Sequence, residues 1–193
     1  MNHFCHLFLA RPTVESRVGN LLGDFARGLD TGALPEQVRE GLEHHRAVDA
    51  FTDAHPEVLA CKAHFSGQRR RFAGIALDIL FDHYLLRHWD VFGHTDKVSF
   101  INELYRDLEA GYELMPPTME QVARRMIAYD WFHAYQDLET VGGAMDRVAS
   151  RIRFRHGFGG IIEEIRPLDA ELEARFLAFF PELLEFSRSR LAD

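Results

Sequence analysis

With 193 residues, 47% of them hydrophobic and 12% aromatic, the chain is long enough to close one core and short for several domains. Its formal charge of −8 argues against a general nucleic-acid binder, whose phosphate affinity comes chiefly from lysine and arginine. The apolar runs fall short of the roughly 20 residues that span a bilayer, and Met1–Ala10 lacks a secretory pattern. Cys5 and Cys61 form neither a CxxC pair nor a disulfide framework. We expect one cytoplasmic domain over residues 1–193, with no membrane and no nucleic-acid partner.

The apolar spacing is helical almost throughout and predicts an all-α fold, a compact single-domain helical bundle. A first helix covers about Asn2 to Ala10, before Pro12; a second covers Val14 to Gly28, with Gly28 and Gly32 suited to its stop. Pro35 opens a third that runs to about Thr52, and Pro56 opens a fourth, with Thr52, Asp53 and His55 placed to cap it. The fifth, from about Arg69 to Trp89, is the most apolar, and a sixth follows from Asp96 to Leu114, ended by Pro116 and Pro117. Thr118–Asp130, Trp131–Thr140 and Ala144–Phe154 read as shorter helices, and a last one from about Leu168 meets Pro181, which is expected to kink or restart it.

Polar groups interrupt these apolar stripes where hydrocarbon belongs. On the third helix Val38, Leu42, His45, Asp49 and Thr52 fall at steps of three or four, so His45 and Asp49 continue an inward face. On the fifth, Phe72, Ile75, Ile79, Asp82, His83 and Leu86 form a similar stripe, and Asp78 lies one turn before Asp82, a closeness that calls for a cation or a shared proton. Asp24 borders the stripe of the second helix, and His6 sits within the apolar first segment. A buried carboxylate needs a partner or a metal. His6, Asp24, His45, Asp82 and His83 are therefore candidate ligands, with Asp49 and Asp78 close behind. Mixed imidazole and carboxylate donors favour Mn²⁺, Fe²⁺ or Mg²⁺ over a structural zinc; a hydrogen-bonded polar network is the competing reading.

The basic residues are unevenly spread. Lys62 and Lys97 are the sole lysines, and arginines gather at Arg69, Arg70, Arg71 and at Arg151, Arg153, Arg155. Guanidinium groups suit bidentate contact with phosphate or carboxylate, so these clusters are candidate substrate contacts.

The runs NHFCHLFLA at Asn2–Ala10, GNLLGDF at Gly19–Phe25, HHRAVDAFTDAHPEV at His44–Val58 and RRRFAGIALDILFDHYLLRHW at Arg69–Trp89 resemble the acyl carrier protein phosphodiesterases. Beyond Trp89 the resemblance thins to SRIR at Ser150–Arg153 and RFLAFFPELL at Arg175–Leu184. The family commonly has Ala where Cys5 and Gly23 stand, small-for-small changes of little expected consequence. The resemblance implies an HD-phosphohydrolase-like fold and a metal-dependent phosphodiesterase, with Mn²⁺ or Mg²⁺ as cofactor. Its substrate would be holo-acyl carrier protein, from whose serine the enzyme removes the 4′-phosphopantetheine arm. The adjacent His-Asp pair of HD enzymes is absent here, the nearest run being the reversed Asp82-His83. By motif position the metal role carries over to Asp24, His45 and Asp82 first, then to His83 and His6.

Hydrolysis of that diester needs an activated water and a proton for the departing serine oxygen. His44, Arg46, Asp49 and Asp78 are the residues we expect at the reacting centre, with His44 or His83 as proton donor and Arg46 and Arg151 on the phosphoryl oxygens. Arg69, Arg70, Arg71, Arg151 and Arg153 would contact the carrier. A metal-dependent nucleotide phosphohydrolase and a non-catalytic helical carrier-binding protein are the alternatives.

Overall fold

A computed structural model describes residues 1–192, and these form helices and turns with no strand among them. The α-helices are α1 (His3–Leu9), α2 (Val14–Leu22), α3 (Glu36–Ala54), α4 (Pro56–His64), α5 (Ala73–Arg87), α6 (Trp89–Phe92), α7 (Lys97–Ala110), α8 (Pro117–Ala128), α9 (Trp131–Ala134), α10 (Leu138–Ala149), α11 (Ile162–Ile165) and α12 (Asp169–Ala192). None is long and apolar enough to cross a membrane.

Local chemistry fixes most of the ends. Thr13 Oγ1 accepts the amide of Ser16 at the start of α2, and His55 Nδ1 accepts that of Glu57 at the start of α4, the capping role expected for it. The single helix expected over Trp131–Thr140 is instead two. Asp137 turns extended and accepts the amide of Thr140 at 2.9 Å, starting α10 afresh at Leu138. Consequently α10 lies earlier than the expected Ala144–Phe154, and the short helix α11 was not foreseen. The most apolar helix is also shorter than expected: Arg70–Phe72 is a 3₁₀ turn and α5 ends at Arg87.

Pro181 neither ends nor restarts the last helix, because α12 runs continuously through it. The ring lies on the exposed side, while Phe176, Phe179, Phe180 and Leu183 bury the opposite face. These rings pack on Phe81 and Tyr84 of α5 and on Phe92 of α6, so one aromatic core joins the C-terminal helix to the centre of the bundle.

The tightest seam is between α2 and α3. A Cβ added at Gly19 would stand 2.2 Å from the carbonyl oxygen of Val38, and one added at Gly41 would stand 2.7 Å from that of Ser16. Two glycines thus let the backbones touch. Gly19→Ala and Gly41→Ala should each destabilise the protein by about 1–3 kcal/mol in urea titrations followed by circular dichroism. Gly143→Ala, whose Cβ would have ordinary contacts only, should cost nothing and gain up to about 1 kcal/mol of helix propensity.

Candidate active site

The seam between α2 and α3 aims His45 at α1. Its ring lies in the space left by Gly23, where an added Cβ would come within 2.1 Å of His45 Cδ2. The Gly-for-Ala difference is therefore not neutral here, since glycine makes room for this placement of the imidazole. The His45 ring stacks on that of His6 with centroids 3.7 Å apart, and the Nε2 atoms of His6 and His45 each lie 3.1 Å from a different oxygen of Asp49. One donor atom from each of the three falls within 4.8 Å of the others.

Burial, with a smaller contribution from the neighbouring His45, lowers the pKa of His6 to about 3, so its imidazole is neutral near neutral pH. Asp49 is held well below the usual carboxylate range: burial acts against ionisation, and the hydrogen bonds from His45 and His6 with the nearby Met1 ammonium outweigh it. Both Nδ1 atoms are buried without a hydrogen-bond partner among the described residues. Two imidazoles, that of His6 neutral, and an ionised carboxylate on one point are a donor set that fits a divalent cation.

In front of this cluster lies a cleft of about 800 Å³, lined by residues of the N-terminal segment, α5, α8, α9 and α10. Met1 stands between the two. Its ammonium is buried, 2.9 Å from Asp49 Oδ1 and 3.0 Å from Asp78 Oδ1, and despite burial these two carboxylates raise its pKa to about 11. Beside it His3 Nδ1–H donates to Asp24 Oδ2 at 3.0 Å. Burial acts to raise the pKa of Asp24 and is outweighed by His3, then by His45 and His6, leaving it at about 2; Asp24 in turn raises the pKa of His3 against the effect of burial.

Several expected site residues stand elsewhere. Asp82 is fully buried and caps α1 from across the core, accepting the amides of Phe4 at 3.0 Å and Cys5 at 2.8 Å and the Asn2 side chain at 2.9 Å. All three donors are satisfied within the protein, so its carboxylate has a structural partner in place of a metal. His83 turns away and donates from Nδ1 to the carbonyl of Tyr135 at 2.7 Å. His44 faces the other side of α3, where its nitrogens meet Asn20 Oδ1 and Ser187 Oγ, tying α2 and α12 to α3 rather than donating a proton in the cleft. Arg46 is exposed and does not line the cleft, and Ile75, expected inward, is 40% exposed on the cleft wall.

The arginine clusters divide as well. Arg69 donates to the carbonyls of Gly157, Gly159 and Gly160, and Arg70 donates to that of Ala63. Arg71 lies over the rings of Phe72 and Phe154 and reaches the carbonyl of Arg155, so the two clusters are neighbours. Arg153 is exposed, and Arg151 lines the cleft. The cleft also takes His3, Arg125 and Arg147, which are not among the residues expected there. For His3 a signal existed: it precedes His6 by one helical turn.

Imidazoles and carboxylates gathered at the head of an open cleft give this helical protein the layout of a hydrolase. The chain belongs to the acyl carrier protein phosphodiesterase family, hydrolases acting on a phosphodiester bond, whose model matches residues 1–183. The protein named acyl carrier protein phosphodiesterase in Serratia proteamaculans is 31% identical over 191 residues, covering 98% of this chain and 99% of its own. Those of the same name in Photorhabdus laumondii (31% over 191 residues, 98% and 96% of the two chains) and Salmonella agona (31% over 188 residues, 95% and 96%) are similar to it at comparable length. No solved structure matches the chain.

The His3–Asp24 pair sets a pH window. A depressed Asp24 stabilises the fold above about pH 4, and that contribution is lost as the pH falls toward 2; a raised His3 stabilises it below its ordinary value of 6.5, and that contribution is lost as the pH rises through the folded value. In chelator-treated protein, Asp24→Asn should shift the His3 ring-proton titration seen by NMR to lower pH. An unchanged midpoint would contradict the pairing. Asp82→Ala should cost about 1–3 kcal/mol in urea titrations, because it leaves the amides of Phe4 and Cys5 buried and unpaired.

Proposed function

We propose that the protein is a metal-dependent phosphodiesterase that removes the 4′-phosphopantetheine arm from the serine of holo-acyl carrier protein, giving the apo form. The family assignment supports the reaction class, and the observation that carries the reading to a site is the convergence of His6, His45 and Asp49 behind the cleft. These three would hold a divalent cation, Mn²⁺ by preference, with Mg²⁺ or Fe²⁺ as alternatives. When bound, it supplies a Lewis acid for the phosphoryl oxygens and lowers the pKa of a water.

The chain's own groups account for the remaining requirements. The cleft has an apolar wall of Ile75, Ile79, Val122 and Val148 against which a pantetheine arm can lie. Asp24 and Asp78 keep the head of the cleft acidic, which favours a cation there and sets the position of the diester. His3 takes the proton-donor role expected of His44 or His83. Asp24 holds its Nδ1–H, fixes the ring tautomer, and raises the fraction of imidazolium available to protonate the departing serine oxygen.

The decisive experiment incubates the protein with holo-carrier and Mn²⁺ in ¹⁸O-labelled water and weighs both products. The expected outcome is an apo-carrier with unlabelled serine and a labelled 4′-phosphopantetheine. A carrier lighter than apo by one water would indicate elimination instead. His6→Ala, His45→Ala and Asp49→Ala should each weaken Mn²⁺ binding in calorimetry and lower turnover at least about a hundredfold. Full activity after chelation would refute the metal requirement.

A further inference from the structure

The lining of the cleft is divided by charge. Asp24 and Asp78 lie with Met1 and His3 on the side of the imidazole cluster, whereas Arg125 of α8, Arg147 of α10 and Arg151 just past the end of α10 line the same cavity from other elements. All three arginines are exposed, and none makes an ion pair among the described residues. The net charge of the protein is −8, and Arg17, Arg69, Arg87, Arg124, Arg166 and Arg175 are paired with carboxylates, whereas these three share one opening without such a partner. Unpaired guanidiniums around one opening leave a local positive rim on an acidic protein.

We propose that Arg125, Arg147 and Arg151 form a docking rim for an acidic protein surface, the carboxylates that flank the serine bearing the phosphodiester. The proposal rests on the phosphodiesterase reading. A diester carried by a protein reaches the acidic head of the cleft only when the body of that protein settles on the rim, and there the rim offers guanidinium. Complementary charge steers such an encounter and fixes its register. Each exposed pair is individually weak, so recognition depends on the three together. A small anion would instead call for buried, convergent donors, and these side chains are neither. Of the three, only Arg151 was a candidate from sequence. Arg125 and Arg147 enter because α8 and α10 turn them to the same opening. Arg69 drops out because its guanidinium already holds three carbonyls of the chain.

The test measures binding of fluorescently labelled apo-carrier, the product without its arm, by anisotropy in metal-free buffer, so that neither turnover nor metal loading enters the readout. R125E/R147E/R151E should weaken binding at least about tenfold and flatten its dependence on salt. R125K/R147K/R151K, which keeps the charge, should stay within about threefold of the unaltered protein. A matched reversal at Arg39, Arg106 and Arg188, outside the cleft lining, should likewise change affinity by less than about threefold. Circular dichroism checks that each variant is folded. Should the triple reversal not fold, Arg147→Glu alone carries the test with an expected loss of about threefold or more. If the unaltered protein releases the arm from holo-carrier while the reversed variant binds apo-carrier equally well, the docking rim is overturned and the phosphodiesterase reading stands. A matched reversal as damaging as the rim reversal also overturns the rim, leaving net charge as the cause. If the unaltered protein neither binds nor processes the carrier, the phosphodiesterase reading fails and takes the rim with it.

Discussion

The geometry of the site depends on the contact of two backbones. At Gly19 and Gly41 α2 and α3 approach so closely that no side chain fits between them. Everything nearby is measured from that seam. Asn20 reaches His44 across it, and Gly23, one turn beyond Gly19, leaves the gap that the ring of His45 fills. A wider seam would carry α3 outward and draw His45 and Asp49 away from His6, which is fixed on a different helix. Densely packed interiors pass such displacements on with little attenuation.

The second constraint is how the protein handles ionised groups inside its core. Asp82 and Asp49 sit on different helices and answer the same physical demand in different ways. Asp82 is enclosed, and its oxygens are satisfied by amide donors from the start of α1. It therefore orients α1, and with it His3 and His6. Asp49 is partly open and faces two imidazoles and the Met1 ammonium. One carboxylate builds the frame; the other gathers two imidazoles on its oxygens.

This contrast also separates what the amino-acid order reveals from what it hides. Helical spacing identified the inward faces of α3 and α5, so His45, Asp49 and Asp82 were recognisable as polar groups directed toward the core. Spacing does not say what a side chain meets there. His44 and His45 are adjacent in sequence, yet one is bound into a network with Asn20 and Ser187 and the other stacks on His6 and meets Asp49, because neighbours on a helix point about 100° apart. The amides that satisfy Asp82 lie almost 80 residues earlier, a distance no local pattern spans. Gly19 and Gly41 sat in plain view inside helical patterns, where an isolated glycine signals close approach; their partnership became visible only with the fold. The split at Asp137 has a local cause, a capping aspartate that outweighed the continuing apolar period around it.

Arg69 carries a different implication. Its guanidinium grips the carbonyls of three glycines in a stretch, 152–161, that has no regular secondary structure. Only a planar group with several N–H donors can hold such a spread, which a lysine ammonium would not reproduce. The loop that follows Arg151 is thus pinned to the start of the α5 region by one side chain, while His6, His45 and Asp49 are anchored by α1 and α3. The loop and the imidazole cluster hang from separate parts of the scaffold. Sequence change in the loop can therefore accumulate while His6, His45 and Asp49 keep their positions, so that the two regions of the molecule can vary independently.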